Sequence, residues 1–273
     1  MPKFNVIVRS FILLLLISFT WRADYAFARS LDLRAITDIY DQKRDRHIPV
    51  SFYLPGSEFD CSNEAPCPVA LLNAGYGVSH LSYRFLAETL SAHGYLTIAI
   101  GHELQDDPPL AVTGNLYETR AENWQRGANT LAFVLQWVHA NANEFKADEV
   151  LLIGHSNGGD IASWYYNKFH EVENNRIIGT VITLDHRRVP LPRSKSIDVL
   201  SIRASDYPAD SGVLPSNAEQ QALGHCVTKI ANARHNDMSD QGPGWLKAAI
   251  SRVISSYLAG AKCKIEVLKG VKA

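Results

Sequence analysis

Val150-Leu-Leu-Ile-Gly-His-Ser-Asn-Gly-Gly159 decides how this chain is read. Four apolar residues run directly into Gly-x-Ser-x-Gly, and Ile161, Trp164 and Tyr165 then recur at helical spacing. A short, fully apolar run suits a strand buried on both faces. The spacing therefore predicts a strand, a sharp turn centred on Ser156, and a helix. Serine used as a nucleophile needs this turn, which exposes Oγ and aims the next backbone N–H at the substrate. Gly154 and Gly158 leave out the side chains that would crowd the strand or the helix. The five-residue pattern alone arises by chance in chains with many Gly and Ser residues, so its weight depends on the other parts of the machinery.

A serine hydroxyl is a poor nucleophile near neutral pH. It needs a base in hydrogen-bond reach, and the base needs an acid to hold its tautomer. In wound α/β sheets reactive groups gather at the carboxyl ends of the strands. Apolar runs predict strands at Pro68–Leu72, Tyr95–Ile100, Ile177–Leu184, Ile197–Arg203 and Val227–Ala231, after an opening pair within Leu31–Tyr53. Helical spacing marks Leu81–Leu90, Leu131–Val138 and Leu246–Tyr257. Alternating strands and helices predict an α/β fold, a mostly parallel sheet with helices on both faces.

Within that frame His235 follows the last strand and fits the base. Asp206 follows Val199–Ser205 and is the first choice for the acid, while Asp185, at the end of the preceding strand, is the alternative. The N–H of Asn157 and that of Tyr76, in the loop Asn73-Ala-Gly-Tyr-Gly77, are the candidate oxyanion donors. His155 is expected to pack beneath the turn, and His186 to line the site. Glu103, Asp106 and Asp107, in the Pro- and Asp-rich loop 101–116, read as solvated charges.

The 273 residues suffice for one large domain, and a formal charge of −1 with scattered Lys and Arg gives no nucleic-acid surface. Lys3 and Arg9, the apolar run Phe11–Phe19 and Ala26-Phe27-Ala28 predict a signal peptide over residues 1–28, with the domain from 29 to 273. Arg22 and Asp24 leave an uncleaved N-terminal anchor or a lipid-associated form as the alternatives. An even count of four cysteines in an exported chain favours disulfides. Cys61 and Cys67 flank a short loop and are the expected local bridge, which leaves Cys226 and Cys263 as the second, although three connectivities are open. Nothing in the spacing points to a metal, and the expected chemistry calls for no cofactor.

With Gly154-His-Ser-Asn-Gly158, Asp206 and His235 in this order, the chain resembles the α/β-hydrolase superfamily over roughly residues 31–260. Within it the chain is most similar to compact secreted esterases related to dienelactone hydrolases, polyester hydrolases and platelet-activating-factor acetylhydrolases. Tyr117-Glu-Thr-Arg120 and Trp124-Gln-Arg-Gly127 resemble the last group. Many members carry His-Gly in the oxyanion loop, where this chain has Ala74-Gly75. Only His186–Ser196 lies where lipases insert a lid, so no large lid is expected. The resemblance implies hydrolysis of a small or lipid-like ester through an acyl-enzyme. A peptidase, an acyltransferase, or a non-catalytic binding protein on the same scaffold are the alternatives.

Overall fold

Eight strands form one sheet in the order β1-β2-β4-β3-β5-β6-β7-β8 in this computed structural model, which describes residues 32–173 and 177–261, with the side chains of 170–173 excepted. The strands are β1 Asp38–Asp41, β2 Arg46–Tyr53, β3 Cys67–Asn73, β4 Leu96–Ile100, β5 Phe145–His155, β6 Ile178–Leu184, β7 Asp198–Arg203 and β8 Cys226–Lys229. The helices are α1 Arg84–Ser91, α2 Leu116–Thr119, α3 Ala121–Asn141, α4 Asn157–Glu173, α5 Asn217–Leu223 and α6 Gly244–Leu258. β1 pairs antiparallel with β2, and β2 with β4; every other pair is parallel. This is the expected mostly parallel sheet. α5 and a 3-10 turn at Leu33–Ala35 lie where the sequence showed no helix. α5 has no buried residue, so it leaves no apolar stripe to read; its capping box, Ser216 with Glu219, is the signal that could have found it.

The central strands carry buried apolar runs because each face meets helices. Val69 and Leu71 of β3 and Val150 and Leu152 of β5 pack into one core with Trp124 and Leu131 of α3 and Ile161 of α4. Their alternating neighbours Ala70, Leu72, Leu151 and Ile153 pack on the other side with Leu86 and Leu90 of α1 and Ile250 and Ile254 of α6. The period of two along each strand thus sorts one apolar run into two cores. Among the described residues no large lid stands over the sheet, and no helix is long and apolar enough to cross a membrane. Cys61 and Cys67 are bridged, with Cα atoms 5.2 Å apart. Cys226 is also disulfide-bonded; Cys263 and the signal-peptide segment lie outside the described residues.

The turn between β5 and α4 is a close approach of backbone to backbone. A Cβ on Gly154 would lie 2.3 Å from the carbonyl carbon of Gly158, and one on Gly158 would lie 2.1 Å from the carbonyl oxygen of Asn73. Both neighbours are backbone and cannot swing aside. Gly158→Ala is expected to cost about 3 kcal/mol or more of stability, measured by denaturant unfolding. A variant as stable as the parent would show that the turn can relax.

Candidate active site

Ser156 follows β5 with φ at +53°, a left-handed conformation held by the strand before it and the helix after it. Its own N–H donates to the carbonyl of Leu184 at 2.9 Å, and its carbonyl accepts from Gly159 and Asp160 as α4 begins. The hydroxyl is left at the carboxyl end of the sheet, 3.0 Å from Nε2 of His235. Nδ1 of His235 lies 2.6 Å from Oδ2 of Asp185. A carboxylate can only accept, so Nδ1 carries the proton and Nε2 is the bare nitrogen that faces the serine.

The acid beside the histidine is therefore Asp185, and the preference for Asp206 is corrected. Both carboxylates serve the same residue by different atoms. Asp206 is exposed, and its Oδ1 accepts the backbone N–H of His235 at 2.8 Å, which fixes the loop. Asp185 is buried, and reaches the ring. Its other oxygen accepts from the N–H of Ala204 at 3.0 Å and pairs with the Arg203 guanidinium at 2.9 Å. Burial works against the Asp185 carboxylate, but His235, Arg203 and the Ala204 N–H outweigh it and hold its pKa below the usual value. Sequence reasoning had placed both aspartates at strand ends. What it missed is that β6 lies next to β5 in the sheet, so its end is nearer the serine than the end of β7 is.

Of the proposed oxyanion donors, Asn157 is the next residue after Ser156 and Tyr76 lies in the loop after β3. Asn157 opens α4, so its N–H has no carbonyl four residues earlier within the helix. Its side chain is tied to α3: Trp124 Nε1 donates to Asn157 Oδ1, and Asn157 Nδ2 donates to Asn123 Oδ1, both at 2.9 Å. Tyr76 follows β3, and its hydroxyl accepts from Leu110 N–H at 3.0 Å, joining this loop to 101–116. Two of that loop's acids, Glu103 and Asp107, are anchors, contrary to the expectation of solvated charges, while Asp106 is exposed as expected. Asp107 pairs with Arg46 and Arg126, and Glu103 accepts from Asn123 and pairs with Arg126. Partners on β2 and α3 could not be inferred from a loop sequence.

One turn along α4 from Ser156, Asp160 is buried and accepts the N–H groups of Arg188 (2.8 Å) and Val189 (2.9 Å). It thus holds the chain that leaves Asp185. The i, i+4 spacing on the nucleophile's helix was its available signal. His186 does not line the site; it is buried, 3.1 Å from the carbonyl of Val189. His155 lies beneath the turn, with its ring centroid 4.9 Å from that of His235. Among the described residues no cluster of His, Cys, Asp and Glu could hold a metal ion.

No protein-family profile matches the sequence, and no curated protein does. Solved structures do match in fold. A dienelactone hydrolase-like promiscuous phosphotriesterase from metagenomic libraries superposes with a TM-score of 0.59 at 14% identity, over 82% of this chain and 96% of its own. Esterase 2 of Thermogutta terrifontis, with butyrate bound, gives 0.59 at 12% identity over 87% and 97%. A ferulic acid esterase of Streptomyces cinnamoneus gives 0.55 at 16% over 88% and 91%. These likenesses show an α/β-hydrolase fold, and the serine, histidine and aspartate on it have the geometry of a serine-hydrolase triad.

Three histidines around the site bear on acid stability. Burial pulls His102, His155 and His186 each down to about 3. Unfolded, they take up protons near pH 6.5, so their contribution is whole above that value and drains as pH falls toward 3. The slope is at most about 1.4 kcal/mol per pH unit for each. Asp160 opposes this: burial raises it to about 6, so its contribution grows as pH falls from there toward the unfolded value of 3.8. Three groups outweigh one, and the melting temperature is expected to drop between pH 7 and pH 5. Calorimetry showing a constant or rising melting temperature over that range would count against neutral buried histidines.

Proposed function

We propose that the protein hydrolyses carboxylic esters through an acyl-enzyme formed on Ser156. The observation that carries this reading is the continuous contact from Ser156 Oγ to His235 Nε2 (3.0 Å) and from His235 Nδ1 to Asp185 Oδ2 (2.6 Å). His235 takes the hydroxyl proton as Oγ attacks the ester carbonyl, then returns it to the departing alcohol. A water activated by the same nitrogen releases the acid. Asp185 keeps the imidazole in the reactive tautomer and stabilises the imidazolium. The N–H groups of Tyr76 and Asn157 hold the tetrahedral oxyanion, where one such donor is typically worth about 3–4 kcal/mol. Among the described residues no large lid covers the sheet, which suits small, freely diffusing esters; the esterase names of the structural neighbours agree with this choice. Export from the cytoplasm is part of the proposal. The Ala26-Phe27-Ala28 cleavage pattern and the Cys61–Cys67 bridge support it.

A fluorophosphonate probe should label the protein at Ser156, and nitrophenyl butyrate should be hydrolysed. Ser156→Ala should lose both. Turnover that survives in Ser156→Ala sinks the mechanism, and folded protein that resists the probe favours a binding role.

The assignment of the acid is tested separately. Asp185→Asn is expected to lower kcat by about 10³–10⁴-fold, by the logic of tautomer control. Asp206→Asn should cost far less, since it touches only the backbone of His235. The reverse order of effects would restore Asp206 as the partner.

A further inference from the structure

A directed hydrogen-bond chain runs beneath the site, and the triad does not use it. Nε2 of His155 lies 3.0 Å from the carbonyl oxygen of His235. A carbonyl only accepts, so Nε2 carries the proton. A neutral imidazole has one N–H, so Nδ1 of His155 is an acceptor. The Tyr83 hydroxyl lies 2.8 Å from that nitrogen and donates to it. The Tyr83 oxygen then accepts the N–H of Gly75 at 3.1 Å. Tyr83 and His155 are buried, so water does not compete for these bonds.

The chain has an end at each functional loop. At one end it holds the carbonyl of the base, His235. At the other it holds Gly75, whose own carbonyl accepts from Val78 N–H at 3.0 Å. That carbonyl and the N–H of Tyr76 belong to one planar trans peptide and point in opposite directions. Fixing Gly75 on both sides therefore fixes the direction of the Tyr76 N–H. His155 stays neutral as it does this: burial depresses it to about 3, so it sets no second positive charge beside the imidazolium that forms on His235.

We propose that Tyr83 and His155 are positioning residues whose hydrogen-bond chain, Gly75 to Tyr83 to His155 to the His235 carbonyl, holds the oxyanion loop and the base loop in register for the transition state. The inference rests on the esterase reading and concerns kcat more than substrate binding, because the side chains of Tyr83 and His155 are buried.

The test compares Tyr83→Phe, His155→Gln and the double variant on nitrophenyl butyrate, with rates expressed per site titrated by fluorophosphonate. Tyr83→Phe removes the hydroxyl and keeps the ring. His155→Gln keeps one donor and one acceptor, but on a flexible amide that does not hold the two at the fixed angle of the imidazole ring. Each single variant is expected to lower kcat about tenfold with KM within about twofold, and to weaken a trifluoromethyl ketone inhibitor, which forms an oxyanion, by a similar factor. The double variant should cost no more than the worse single one, as links of one chain do. Unchanged kcat per titrated site, a loss confined to thermal stability, or additive losses in the double variant would each overturn the chain's role while leaving the esterase reading intact. Wild-type protein that is neither labelled nor active overturns both.

Discussion

Backbone meets backbone where α4 leaves β5, and the position of everything reactive follows from that contact. Gly158 sits against the carbonyls of Asn73 and Ala74, and Gly154 against Gly158 itself. Two strand ends and a helix start therefore share a volume that excludes every Cβ. Asn73 locks the arrangement from the side: its Nδ2 donates to the carbonyls of Leu71 and Ile153, and its Oδ1 faces Nε2 of His102 at 2.8 Å. The carbonyl of His102 is held in turn by Arg46. Close packing of this kind leaves Ser156 one conformation, with positive φ, and strain at such a site persists only because its surroundings over-determine it. The serine is aimed by the fold before any partner touches it.

The partners are then delivered by adjacent strands. β5 and β6 run parallel in register, with His155 opposite Leu184, so the residue after each strand emerges side by side: Ser156 from one, Asp185 from the other. His235 arrives from beyond β8 and has the longest path, and it is held most heavily. Asp206 takes its N–H, His155 its carbonyl, Asp185 one ring nitrogen and Ser156 the other. Ala233, two residues earlier, accepts from both the N–H and the hydroxyl of Ser205. A base whose backbone and ring are both tied loses little freedom when the reaction begins, which is how preorganisation lowers a barrier.

Periodicity made the fold legible, because each strand and helix buries a stripe and the stripe is written in the residues. Ser156 was legible because the turn demands glycines at fixed spacing, and His235 because only one histidine follows the last strand within its loop. Choosing between Asp185 and Asp206 required knowing which strand lies beside β5, a property of strand order that residue patterns do not record. Tyr83 was hidden for a related reason. It sits at the start of α1 and its hydroxyl bonds to β5 and the β3 loop, so its role exists only across elements far apart in the chain. Glu103 and Asp107 of loop 101–116 erred in the opposite direction: a cluster of Pro, Asp and Glu looks like solvated chain until Arg46 and Arg126 are brought over it.

Buried polar groups crowd the carboxyl end of the sheet, among them Asn73, His102, Asn157, Asp160, Asp185, Arg203 and His235. Each would cost free energy if left without a partner, and each has one. Replacing them with apolar residues would make a more conventional core, but it would remove the only directional forces that can hold loops at fixed angles. Apolar contact fixes distance and leaves orientation loose, whereas a hydrogen bond to a lone pair constrains both. The two cores flanking the sheet supply stability, and the polar layer at its end converts that stability into aim. A substitution in the cores should therefore lower the melting point before it alters turnover per folded molecule, while one in the polar layer acts on both, since the groups that satisfy each other there also point the serine, the base and the oxyanion donors.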